Sequence, residues 1–184
     1  MTHEMSNPVP VLHMLYGKAG SGKSTLCSQL AQAPLSILIA QDDWLSKLYS
    51  EELKTVADYL RLVRRLGAAM GPHVSALLRL GVSVVLDWPA NTVESRAWLR
   101  SVCEAAGAMH TLHVLDVADE VCLERLRARN ASGFHPYSVD KAEFEELSRY
   151  CEPPTSAEGF NIVVYSQVPD TQSQTAAASN LYGS

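Results

Sequence analysis

The chain has 184 residues, 47% of them hydrophobic and 19% charged, which suits one globular domain with a sizeable core and excludes global disorder. Fifteen Lys and Arg against twenty Asp and Glu leave a formal net charge of −5, so general nucleic-acid binding is disfavoured. The longest apolar runs, such as residues 37–40 and 84–86, fall far short of the roughly 20 residues that span a bilayer, and the first ten residues carry no signal-peptide pattern; a soluble, cytoplasmic protein with no membrane partner is expected.

Residues 9–15 are apolar at nearly every position, as in a strand covered on both faces of a parallel sheet. A glycine-rich turn follows, then a short helix carrying Leu26 and Leu30 that stops before Pro34. Residues 35–40 read as a second strand. From 51 to 80 the pattern is helical, through Leu53, Val56, Leu60 and Val63, with Gly71-Pro72 as a break that predicts two helices. Residues 82–87 form a third strand. The next helix is marked by capping-box spacing at Asn91 and Glu94, a stripe of Leu99, Val102, Cys103 and Ala106, and a stop at Gly107. A strand at 110–116 and a helix at 119–130 come next. Residues 131–139, with Gly133 and Pro136, read as a mobile connection, before a helix with Phe144, Leu147 and Cys151 on one face and a fifth strand at 160–165. This alternation predicts an open α/β sheet with helices on both sides, one domain over residues 1–166, and a disordered tail over 167–184. Cys27, Cys103, Cys122 and Cys151 lack C-x-x-C spacing and are expected to be reduced core residues. No residue pattern specifies an oligomeric state.

Gly17-Lys18-Ala19-Gly20-Ser21-Gly22-Lys23-Ser24-Thr25 contains G-x-x-x-x-G-K-[ST] between a strand and a helix. Successive backbone N–H groups in such a loop turn inward around a phosphate, in conformations that side-chain-bearing residues resist. The following helix N-terminus adds partial positive charge, Lys23 bridges the β- and γ-phosphates, and Ser24 offers its hydroxyl to Mg²⁺. A phosphate-binding loop for a nucleoside triphosphate is expected. Asp87, closing Val84-Val85-Leu86-Asp87, fits the carboxylate that holds the metal's water shell, the alternative being a cap on the turn into the next helix.

Polar residues near the strand ends bear on where the γ-phosphate goes. Asp42 and Asp43 follow the second strand; Asp42, nearer the strand end, is favoured as general base for an acceptor hydroxyl, and Asp43 is either base, acceptor contact or helix cap. Arg125 and Arg129 share a helix face beside the mobile segment, where guanidinium groups can fold over a triphosphate, while Arg127 points elsewhere; a solvated helix end is the alternative. Arg96 is a weaker candidate for a substrate phosphate or carboxylate. His110 and His113 fall on opposite faces of their strand and receive no role.

The loop GKAGSGKST, the LIAQDDW and VVLDWPANTVESRAWL segments, the DEVCLERLRARN helix and the late CEPPTSAEGFNIVV together resemble AAA_33-type P-loop kinases, relatives of zeta toxins, chloramphenicol phosphotransferase, gluconate kinase and polynucleotide kinase domains. The resemblance implies a three-layer P-loop NTPase sandwich with strand order 2-3-1-4-5, Asp42 at the general-base position, Arg125 and Arg129 as lid arginines over 131–139, and ATP with Mg²⁺. Several relatives carry an arginine three residues after the base; Leu45 stands there here, which argues against a polynucleotide or nucleotide-sugar acceptor. Trp44 and Trp88 are instead expected to wall a partly apolar pocket. The expected activity is transfer of the ATP γ-phosphate to a small-molecule hydroxyl. The alternatives are a nucleotide-dependent switch or ATPase, and a zeta-toxin-like kinase of a cell-wall precursor.

Overall fold

Buried apolar strands followed by helices assemble into a parallel five-stranded sheet in the computed structural model, which describes residues 9–132 and 139–166. The strands are β1 (Val11–Tyr16), β2 (Ser36–Ala40), β3 (Ser83–Pro89), β4 (Met109–Leu115) and β5 (Ile162–Tyr165), in the spatial order β2-β3-β1-β4-β5. Every ladder is parallel, with Leu12 opposite Val84 on one side of β1 and opposite His110 on the other. This is the three-layer P-loop sandwich, and the expected strand order holds.

Alternation along β1 and β3 divides the core. Leu12, Met14, Val84 and Leu86 face α3 (Val56–Arg79) and α4 (Val93–Ala106), whereas Leu15 and Val85 face Leu26 and Cys27 of α1 (Lys23–Leu30). A satellite cluster of Cys122, Leu126 and Phe144 joins α5 (Asp119–Ser132) to α6 (Lys141–Arg149). Among the described residues no helix is long and apolar enough to cross a membrane.

Three expectations change. The pair of helices over 51–80 is one helix, α3, with Pro72 inside it. Proline in a helix interior costs about 3 kcal/mol, but Leu62, Leu66, Met70, Val74 and Leu78 repeat every fourth residue and are all buried, each contributing roughly 1.5–3 kcal/mol. Packing therefore outweighs the break, and the stripe is not the one read from sequence, since Leu60 is exposed. The cap of α4 is Thr92 with Ser95, one residue beyond the Asn91 and Glu94 pair. Residues that follow β2 directly form a helix of their own, α2 (Gln41–Tyr49), with Asp42 and Asp43 in its first turn and Ala40 as its cap. The expected tail lies outside the described residues, as do residues 133–138 of the expected lid.

Candidate active site

The central strand delivers the chain to Gly17, and the loop runs to Gly22, where α1 begins. Gly20 (φ 75°) and Gly22 (φ 100°) hold left-handed conformations. At Gly20 a side chain is excluded by space as well, because a Cβ would lie 2.5 Å from the Cys122 carbonyl oxygen and 2.9 Å from Leu126 Cγ. Absence of a side chain here lets the loop rest directly on α5.

The start of α1 has no side-chain cap and no acidic residue in its first turn. Each of α2 to α6 carries at least one acid there. The N–H groups and partial positive charge of α1 are thus left for an external anion, the arrangement that a phosphate fits. Lys23, half-buried, donates from Nζ to the carbonyl oxygens of Gly17 (2.6 Å) and Lys18 (2.8 Å). Burial pushes its ammonium below the usual lysine range, and the Asp87 carboxylate opposes that shift. Lys18 turns away to pair with Asp119 at 2.5 Å. Ser21 is buried; its backbone N–H donates to Lys18 O at 3.2 Å, and its carbonyl accepts from Arg125 Nη1 at 3.1 Å.

A cleft of about 710 Å³ opens over this loop. Ala19, Gly20, Gly22, Lys23, Ser24 and Thr25 form its floor, Asp87 of β3 and Asp42 of α2 enter from the neighbouring strand ends, and Arg125 and Arg129 of α5 close the far wall. Asp87 lies within β3 opposite Ala40, and Thr92 caps α4, so Asp87 is not a helix cap. The Cys27 thiol donates to Asp87, and burial raises that thiol far above its ordinary pKa, keeping it protonated. Burial lowers the Arg129 pKa, and the Asp42 charge works against that shift across the cleft. Ser24, exposed toward the cleft, and Asp87 together offer a hydroxyl and a carboxylate, a hard oxygen set suited to Mg²⁺.

Other candidates lie elsewhere. Asp43 and Trp44 line a separate surface hollow with Leu38 and Lys47, outside the cleft. Trp88 is no pocket wall: it is buried and stacked on Trp98 at 5.3 Å between ring centroids. Arg96 is fully buried and pairs with Glu158 at 2.6 Å, so it presents nothing to a substrate. Its Nη1 also donates to the carbonyls of Ala90 (3.1 Å) and Glu152 (2.8 Å).

Residues that the sequence did not assign to the site also line the cleft: Tyr59, Asn91, Leu147, Tyr150 and Cys151. Tyr59 is held beside α2 through the amide of Gln41, which donates to its hydroxyl at 2.7 Å. The sequence signals at these positions point elsewhere: the spacing of Asn91 and Glu94 predicts a helix cap, and the shared face of Leu147 and Cys151, on and just beyond α6, predicts core.

The AAA_33 family model, described as an AAA domain, matches residues 12–154. None of the curated proteins matches significantly. Among solved structures, Chaetomium thermophilum Kti12 in complex with ADP-AlF3 is similar at a TM-score of 0.64 and 18% identity, over 88% of this chain and 92% of that one. The Mycobacterium tuberculosis APS kinase CysC, in complex with AMPPNP and APS, gives 0.57 and 19% over 88% and 91%. A gluconokinase from Sinorhizobium meliloti 1021 gives 0.55 and 19% over 88% and 85%. At these identities the likeness is one of fold, and the fold is that of P-loop kinases.

Proposed function

The chain belongs to the AAA_33 family, and on that footing we propose that it is an ATP-dependent phosphotransferase acting on a hydroxyl of a small molecule. The observation that carries this reading is the convergence of Lys23, Asp42, Asp87, Arg125 and Arg129 on one cleft above the phosphate loop. The loop amides and the uncapped start of α1 bind the β-phosphate, and Lys23 moves from its carbonyl partners onto the β- and γ-oxygens. Asp42 accepts the acceptor's hydroxyl proton as that oxygen attacks the γ-phosphorus in line; the bond from γ-phosphorus to the bridging oxygen breaks, and ADP leaves. Arg125 and Arg129 neutralise charge developing on the transferred group. Ser24 and Asp87 would hold Mg²⁺, which when bound neutralises phosphate charge. Structural likeness to the APS kinase and the gluconokinase supports the acceptor being a small molecule.

The likeness to Kti12, solved with ADP-AlF3, favours a second reading, a nucleotide-hydrolysing switch. One experiment separates them: a panel of metabolites incubated with protein, ATP and Mg²⁺, read by mass gain of one phosphate. One compound phosphorylated far faster than its analogues is expected. ATP hydrolysis that no compound accelerates or diverts overturns the kinase in favour of the switch.

A further inference from the structure

The β1–β3 ladder ends where Ala90 N–H donates to Leu15 O at 2.9 Å. Beyond it the two chains diverge, yet the pairing continues through a side chain. Asn91 Oδ1 accepts from Gly17 N–H at 3.0 Å, and Asn91 Nδ2 donates to Gly17 O at 3.1 Å. The primary amide thus takes both backbone groups of the first loop glycine, as a neighbouring strand would. Gly17 O has a second donor, Lys23 Nζ at 2.6 Å.

We propose that Asn91 is a positioning residue that frees Lys23 for the phosphates, an inference that rests on the nucleotide-binding reading of this site. Lys23 must give up Gly17 O to reach a β- or γ-oxygen. The carbonyl of a buried residue such as Gly17, abandoned by its donor, costs the free energy of the lost hydrogen bond. Asn91 remains on that carbonyl when the ammonium leaves, so the lysine's move strands no acceptor, and Gly17 keeps its place while the loop closes on the nucleotide. Asn91 touches no reacting atom in this role.

A double-mutant cycle tests it, with ATP–Mg²⁺ affinity measured by calorimetry or, for weak binders, by ligand-observed titration, and thermal unfolding of each variant run alongside. Asn91→Ala is expected to weaken affinity about tenfold in the otherwise unaltered chain. In the Lys23→Met background, where no ammonium has to move, the same substitution is expected to change affinity less than about twofold. Asn91→Asp keeps an acceptor for Gly17 N–H but offers no donor to Gly17 O and sets a carboxylate beside Lys23. It is expected to lose at least as much as Asn91→Ala, and it carries the test if the alanine variant unfolds. Unchanged affinity in either single variant overturns the inference. So does an equal loss in both backgrounds, which assigns Asn91 to loop shape alone. Failure of the unaltered protein to bind ATP overturns the nucleotide reading itself, and this inference with it.

Discussion

Two cations, the buried Arg96 and the half-buried Lys23, differ in the kind of partner they hold. Arg96, beneath α4, spends its guanidinium on Glu158 and on the carbonyls of Ala90 and Glu152, all within the protein. Lys23, at the start of α1, rests on two carbonyls of its own loop, beside an uncapped helix end that lacks any acid. The first arrangement is closed: a carboxylate neutralises the charge, and Arg96 in turn holds the Glu158 carboxyl below the usual range. The second is open, because the hydrogen bonds of Lys23 go to carbonyl dipoles that an anion can displace, while the Asp87 carboxylate acts on its charge only through space. A cation bound directly to a carboxylate holds a fold together, while one whose hydrogen bonds go to displaceable carbonyls is poised for a ligand.

Substitutions can break that distinction. The largest effect is expected at Asp42, one of the two acids that line the cleft over the open site. Asp42→Asn should lower acceptor phosphorylation by about 10²- to 10⁴-fold, the scale of a lost general base, with ATP affinity and unfolding midpoint unchanged; Asp43→Asn, outside the cleft, should leave turnover intact. Steady-state kinetics of the two variants checks this, and equal losses would remove Asp42 from its role. Next comes the closed site. Arg96→Ala strands Glu158 and two carbonyls and should cost about 3–5 kcal/mol of stability, as expected for breaking a buried pair. Urea unfolding measures it, and a loss under about 1 kcal/mol, typical of exposed pairs, would show that Arg96 is not the anchor described here.

The same contrast explains what could be read in advance. The phosphate loop is legible because its chemistry needs fixed residues at fixed spacing within the short run from Gly17 to Ser24, flanked by a strand and a helix. Asp42 and Asp87 were legible as carboxylates at strand ends. Arg96 was misread, since an arginine on a helix looks the same in sequence whether it meets a substrate or Glu158, which lies 62 positions away. Asn before a helix is a common cap, so the spacing at Asn91 predicts one; its partner, Gly17, is 74 positions distant. Pro72 suggested a break that packing against α4 overrides, with Ser75 Oγ donating to Val102 O at 2.8 Å in the next turn. The order of the strands was implied by family resemblance alone. Local chemistry was visible, and long-range partners were not.

A smaller effect is expected at Lys23. Lys23→Ala should weaken ATP binding by roughly 1.5–3 kcal/mol, the scale of one charged hydrogen bond. It should leave stability unchanged or slightly raised, since burial already disfavours the ammonium. Calorimetry and urea unfolding on the same sample give both numbers. A variant that binds ATP normally, or one that unfolds, would erase the contrast with Arg96.

The smallest effect concerns a third polar pair, away from both sites. His13 Nδ1 lies 2.9 Å from His113 Nε2, and His113 Nδ1 lies 3.0 Å from the Tyr165 hydroxyl, across β1, β4 and β5. Burial lowers the pKa of His13 from 6.5 to about 4 and that of His113 to about 3. The unfolded chain therefore takes up protons first as pH falls. Stability from this pair is complete well above pH 6.5, erodes as pH drops through that value, and continues to erode until the folded imidazoles themselves protonate. Between pH 7 and pH 6 the pair should cost roughly 1 kcal/mol after allowance for its partial exposure. His113→Gln can keep a hydrogen bond with His13 but cannot take up a proton, so its urea midpoint should fall less over that interval than that of the unaltered protein. Midpoints that fall in parallel would mean that the folded pair takes up a proton over the same interval and that burial of the imidazoles does not set the acid limit of this fold.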